Sequence, residues 1–367
     1  NRFHLPIDGA TGALLDVLAF LDQALEETPG VLFRLGVGAQ TGKPDLAGRI
    51  LDPVGELLLF VAGFVTGFFV VSRHGLGLRR MLSVRIPLYL NPGPGMKLRQ
   101  YLKKRIVPEA VDRQVDRMRK VTGSLGHDPW GFQEDAAKIG MTLVRPIHDY
   151  WFRVDSRGEE RVPDEGPVLL VANHSGQLPL DGLMIGYTLA NRARNPRLPR
   201  AMIERFFPTV PWLGNLLNQV GAVLGDPANC ARMLENGEAV IIFPEGIRGS
   251  GKPYRERYQL KRFGSGFMRL AMEHNATVVP VGVVGCEETM PAFGNVRPLA
   301  RWLGVPYVPV AAPVVLPSRV LLRFGEPMHF QPDPEMTEEI MARHVDRVRS
   351  AISDLIDQGL SERERVF

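Results

Sequence analysis

Cysteine is nearly absent: Cys230 and Cys286 are the only two in 367 residues, which excludes a disulfide framework and points to a reducing compartment. The histidines are scattered without metal-ligand spacing, so neither a metal nor a resident cofactor is expected. Zinc-finger spacing and basic motifs interleaved with aromatics are also missing, which argues against nucleic acid as a partner. No uninterrupted apolar run reaches the roughly 20 residues that a spanning helix needs. The chain starts at Asn1 rather than methionine, so the lack of a targeting signal carries no weight.

What is present is enough apolar material, 45% of residues, to build one large domain or two. Net charge is only +4, yet the pI is about 9.1 and the cations cluster. Arg192, Arg194, Arg197, Arg200 and Arg205 form one group; Arg248, Lys252, Arg255, Arg257, Lys261 and Arg262 form another. Such groups suit phosphate-bearing ligands or an anionic lipid surface.

Three regions follow from the order of the chain. In the first, 1–95, Leu14, Leu15, Leu18, Leu21 and Leu25 recur at helical spacing, which predicts an amphipathic helix over 11–27 that Pro29-Gly30 ends. The apolar run 57–71, followed by Arg73, Arg79 and Arg80, admits a buried core helix, a shallow or re-entrant membrane anchor, or a stretched span. Its basic flank favours contact with a membrane surface. Asn91-Pro92-Gly93-Pro94-Gly95 marks the boundary. The second region, 96–151, reads as helical and packed on the core, with a helix starting at Pro108 and another over 128–151 that Pro146 kinks.

The third region, 152–367, alternates strands near Val168, Ala222, Ala239, Thr277 and Arg319 with helices from Asp181, over 213–220, 227–234 and 263–273. A last helix is capped by Asp333-Pro334-Glu335, and Phe206-Phe207-Pro208 reads as a loop. This alternation predicts an α/β fold with a largely parallel central sheet flanked by helices, preceded by the helical, membrane-contacting first region.

Within it, Asn173-His174-Ser175 follows the strand at 168–172, and Asp181 opens the next helix. The carboxyl ends of strands in open α/β sheets are where ligands usually bind. By themselves a packed loop histidine and a capping aspartate would fit as well. The strand at 239–242 ends in Phe243-Pro244-Glu245-Gly246-Ile247-Arg248, and Val278-Val279-Pro280-Val281-Gly282 and Arg323-Phe324-Gly325-Glu326-Pro327 follow. These four blocks, in this order, resemble the glycerolipid acyltransferase family over about 152–330.

The resemblance implies transfer of a fatty acyl group from acyl-CoA or acyl carrier protein to a lipid hydroxyl, at the cytoplasmic face of a membrane. It implies His174 as general base and Asp181 as its orienting partner, in the logic of a triad whose nucleophile belongs to the acceptor. Asn173, Ser175, Phe243, Pro244, Glu245, Gly246, Arg248, Gly221 and Pro280 fall on its substrate-binding positions, with Arg248 facing an anion.

Two features depart from the family pattern. Six residues separate His174 from Asp181 where four are usual, so the segment around Gly176 and Pro179 must bulge for the pair to meet. In Gly221-Ala222-Val223-Leu224-Gly225-Asp226-Pro227, proline stands where an arginine is associated with acceptor phosphate. Either a cation of the 192–205 group replaces it, or the acceptor is neutral, such as diacylglycerol or a long-chain alcohol. Gly246 to Lys252 mimics a nucleotide phosphate loop, but Pro253 stands where serine or threonine should hold magnesium. The serines lack a nucleophile elbow. A hydrolase using water, and a lipid-binding protein of the same fold without catalysis, remain the alternatives.

Overall fold

The computed structural model describes residues 104–367 apart from 105, 122, 124–127, 206–212, 297, 299, 301–306, 312–313 and 334. The amphipathic segment 11–27, the apolar run 57–71, the break before residue 96 and the loop at 206–208 lie outside the described residues.

In chain order the described elements begin with α1 (Glu109–Asp116), α2 (Glu134–Pro146), β1 (Asp155–Arg157), β2 (Val168–Ala172), α3 (Leu180–Ala190), β3 (Arg200–Ile203), α4 (Leu213–Gln219) and β4 (Val223–Leu224). They continue with α5 (Pro227–Glu235), β5 (Ala239–Ile242), the single turn α6 (Ile247–Ser250), α7 (Gly266–Glu273), β6 (Thr277–Val284), the turn α8 (Cys286–Thr289), the hairpin β7 (Ala292–Asn295) and β8 (Pro309–Ala311), β9 (Leu321–Phe324) and α9 (Glu338–Glu362).

Seven strands form one sheet in the order β1-β9-β6-β2-β5-β3-β4. Its neighbours run parallel except β6 and β9, so the largely parallel sheet read from the alternation is present. The strand period of two explains the two layers. Val168, Leu170 and Ala172 of β2 face Phe152 and the α3 residues Met184, Ile185 and Leu189. Leu169 and Val171 face the other way, onto Met233 of α5, Met268 of α7 and Val348 and Ile352 of α9. Both faces of β2 are therefore dry, which is why its sequence is a continuous apolar run rather than an alternating one.

Several expectations need correction. The helix read over 128–151 starts later, because the Asp128 carboxylate accepts the backbone N–H groups of Trp130 and Phe132 and folds that stretch into a turn. At Pro146 the α-helix gives way to a π-helical turn, Ile147–Trp151. The last helix starts at Glu338, with the Thr337 hydroxyl accepting from Ile340 at 3.2 Å; Asp333 instead closes the turn before it through Glu335. Short strands β1 and β3 and the β7–β8 hairpin were not legible.

Three of the five arginines in 192–205 are the largest correction; Arg194 and Arg205 are exposed. Arg192 is spent on Asp164 and on the carbonyls of Glu159, Val162 and Asn195. Arg197 holds the carbonyls of Pro163, Gly166 and Gly237, and Arg200 is buried between Asp128 and Glu238. They stitch loops to the amino ends of the strands. Arg323 does the same at the other edge, tying β1 through the Asp155 carbonyl at 2.9 Å to Glu362 of α9 at 2.8 Å.

Candidate active site

Four strands deliver the site from their carboxyl ends. His174 lies two residues beyond β2, Glu204 one beyond β3, Glu245 three beyond β5 and Glu287 three beyond β6. The six residues between His174 and Asp181 do bulge: Gly176 takes φ +90°, and a β-carbon there would lie 2.6 Å from the Cys286 carbonyl oxygen. That conformation and that closeness both require glycine. The bulge returns the chain to α3, where Asp181 is fully buried.

His174 Nδ1 and Asp181 Oδ2 are 2.6 Å apart, and the same oxygen accepts the Ser175 N–H at 2.9 Å. Oδ1 accepts the Gly182 N–H at 2.8 Å. With Nδ1 committed, Nε2 is open among the described residues, on a ring whose side chain is 12% exposed. Phe243 stacks on that ring at 4.4 Å and 22°, and Gly182 leaves the space in which Phe243 lies.

Glu245 is buried and bonded on both oxygens. Oε1 accepts the His174 N–H at 3.0 Å and Oε2 the Lys261 N–H at 2.7 Å. The carboxylate thus clamps the histidine's own backbone to the loop after β5. Burial pushes the imidazole toward neutrality, but the charge and hydrogen bond of Asp181, then Glu245 and Glu204, outweigh it, so His174 holds its proton above the ordinary value of 6.5.

The residues assigned to substrate binding separate into three groups. Phe243, Pro244, Glu245 and Gly246 gather at the end of β5 beside His174, and Arg248 is exposed on α6, where it donates to the Arg262 carbonyl at 3.5 Å. Ser175 and Asn173 are fully buried beneath the histidine. Asn173 is occupied at both ends of its amide: it donates to the Val283 carbonyl at 2.9 Å and accepts the Val283 N–H at 2.7 Å. It is a peg between β2 and β6.

Asn173→Ala should therefore cost about 2–3 kcal/mol, because it leaves a buried N–H and a buried C=O unpaired. Urea titration reads this directly, and a loss within about 0.5 kcal/mol, the range of an ordinary surface change, would refute it.

Gly221 and Pro280 are not brought to the histidine. Gly221 packs against Leu198 and Phe132. Pro280 pairs with Val171 in the sheet, and its ring lies where a β-carbon on Gly325 would come within 2.7 Å. Two blocks of the resemblance, the strand proline and the late Phe-Gly, are thus explained as one packing pair.

Three nearby groups were missed. Lys252 and Gly249 sit in stretches that read as a basic cluster and a failed phosphate loop, and Glu287 carries no signal in the sequence. Lys252 Nζ lies 3.6 Å from Glu245 Oε2 and 3.0 Å from Glu287 Oε1, with only 3% of its side chain exposed. Glu287 also accepts the Tyr258 N–H at 2.5 Å, and burial pushes its carboxyl up to about 7.

Comparison with known proteins agrees with this picture. A family model for acyltransferases matches residues 153–284. An uncharacterized protein of Mycobacterium leprae is 34% identical over 270 residues, covering 68% of this chain and 72% of that one. A "DGAT1/2-independent enzyme synthesizing storage lipids" from Homo sapiens is 26% identical over 238 residues, covering 63% and 68%. Among solved structures, the 1-acyl-sn-glycerophosphate acyltransferase PlsC of Thermotoga maritima aligns with a TM-score of 0.41 and 18% identity, over 62% of this chain and 83% of that one. This chain belongs to the glycerolipid acyltransferase family and is an acyltransferase enzyme.

Proposed function

We propose that the enzyme transfers a fatty acyl group from a thioester, acyl-CoA or acyl carrier protein, to the hydroxyl of a neutral lipid acceptor. The observation that carries this reading is the buried His174–Asp181 pair at 2.6 Å with Nε2 left open. Nε2 takes the acceptor's proton as its oxygen attacks the thioester carbonyl, and the tetrahedral intermediate collapses by expelling the thiolate, which receives that proton. The products are an ester and a free thiol, with no acyl-enzyme. Asp181 fixes the tautomer and stabilises the imidazolium.

A neutral acceptor is favoured because three of the five cations that could have replaced the missing arginine are engaged elsewhere, while Arg194 and Arg205 are exposed, Arg205 against Asp226. Arg192, Arg197 and Arg200 hold carbonyls and carboxylates within the protein. Pro227 is the first residue of α5, where its missing N–H costs nothing and Asp226 caps the helix. The relative that synthesizes storage lipids is in keeping with this choice. Work at a membrane surface is in keeping with Ile247 and Arg248, both exposed on the turn that packs over His174. Among the described residues no helix is long and apolar enough to cross a membrane.

The test is an assay of purified protein with labelled acyl-CoA or acyl carrier protein and a panel of diacylglycerol, long-chain alcohols and lysophospholipids. Ester should form with the neutral acceptors. Ester with lysophosphatidate alone would overturn the acceptor assignment, and fatty acid release without any lipid would favour the hydrolase.

The base must start neutral, so kcat/KM should fall on the acid side with a midpoint above 6.5, the ordinary imidazole value. Glu204→Gln removes one of the charges that stabilise the imidazolium, so this limb should move to lower pH. A limb that stays in place in Glu204→Gln would refute this account of the proton's hold.

A further inference from the structure

The stretch that fails as a nucleotide phosphate loop has a use of its own. Its lysine turns inward, and its charge lies among carboxylates. Lys252 Nζ is 3.0 Å from Glu287 Oε1, 3.6 Å from Glu245 Oε2 and 3.3 Å from the Gln259 carbonyl. Its own carbonyl accepts from the Gln177 side chain at 3.0 Å, which fastens it to the bulge between His174 and Asp181. A buried ammonium is costly unless fully paired, so a lysine is not placed here by default; an apolar residue would suffice to fill the space.

We propose that Lys252 is a positioning residue of the acyl-transfer site: it neutralises Glu245, the carboxylate that clamps the His174 backbone, and thereby limits how tightly His174 holds its proton. This rests on the reading of His174 as the base. Around the imidazole stand Asp181 from α3, Glu245 from the loop after β5 and Glu204 from the end of β3, with Cys286 and Tyr307 close to Asp181. Three carboxylates, with no cation in direct contact among the described residues, would hold the ring protonated. Lys252 is the group that offsets one of them, and Glu287 holds Lys252 in place. Glu245 keeps its position without the lysine, because the N–H groups of His174 and Lys261 both bond to it.

The experiment is a titration of His174 by NMR in full-length protein carrying labelled histidine, with the signal assigned by its loss in His174→Gln. Lys252→Gln should raise the His174 midpoint by about half a pH unit or more, since a neighbouring carboxylate loses its counter-charge. Lys252→Arg should restore the native midpoint. Glu287→Gln combined with Lys252→Gln removes one charge of each sign, so it guards against failure to fold, and it should show the same rise. In an active enzyme the acid limb of kcat/KM moves by the same amount. A native midpoint in folded Lys252→Gln, or in the double variant, overturns the proposal. Because the NMR readout needs no turnover, a protein that titrates as expected but forms no ester would sink the acyl-transfer reading and leave the electrostatic one standing.

Discussion

His174→Ala should lower acyl transfer by about a thousandfold, the middle of the range that positioned acid–base groups contribute, while leaving the protein folded. The imidazole is held by Asp181 and Phe243; its removal takes one partner from Asp181, which keeps the Ser175 and Gly182 N–H groups, and a stacked neighbour from Phe243, while the Glu245 bond to the His174 backbone stays. Asp181→Asn should be nearly as damaging for two reasons. An amide can donate to Nδ1 and so favour the wrong tautomer, and loss of the carboxylate lets burial prevail, which lowers the imidazole's affinity for its proton. The Asn variant should therefore combine a low plateau with an acid limb displaced downward. Native kcat in His174→Ala would remove the base from the mechanism, and an unmoved limb in Asp181→Asn would remove the aspartate.

Gly249→Ala should cost about a hundredfold in kcat with little change in KM for the thioester, the penalty expected when a reacting group is misplaced by roughly an ångström. A β-carbon at 249 would lie 2.7 Å from His174 Cβ and 2.8 Å from Glu245 Cβ. Both are first side-chain carbons set by the backbone, so neither can swing aside. Either α6 lifts or the histidine shifts. Gly266→Ala is the control, because nothing lies within 4 Å of its added methyl and its activity should stay native. Thermal melting separates the outcomes: a folded Gly249→Ala with native kcat would show that α6 does not set the position of His174.

The contrast between what the sequence disclosed and what it concealed follows from how each signal arises. His174, Asp181 and Glu245 were legible because a buried parallel strand announces itself as an apolar run, and the residues just after such runs share one edge of the sheet. Burial of charge announces nothing. Arg192, Arg197 and Arg200 crowd together in sequence as solvated cations do, yet each is buried. Lys252 reads as part of a basic cluster for the same reason, and only the sheet, by bringing the loops after β5 and β6 together, reveals its pairing with Glu287. Strand β3 was hidden because Arg200-Ala201-Met202-Ile203 lies in a proline- and arginine-rich stretch, and its pairing to β5 is decided by neighbours rather than by its own composition.

The end of the described chain folds back onto the rim of the site. Arg363, just past α9, pairs with Glu288 at 2.9 Å and reaches the Tyr258 hydroxyl at 3.2 Å, and the Val366 carbonyl accepts the Arg319 N–H at 2.8 Å. During synthesis the ribosome delivers His174 and Asp181 well before this arginine. A nascent chain therefore carries the His174–Asp181 pair before it has the charge partner of Glu288, and the wall behind the pair closes only once that later segment has folded back.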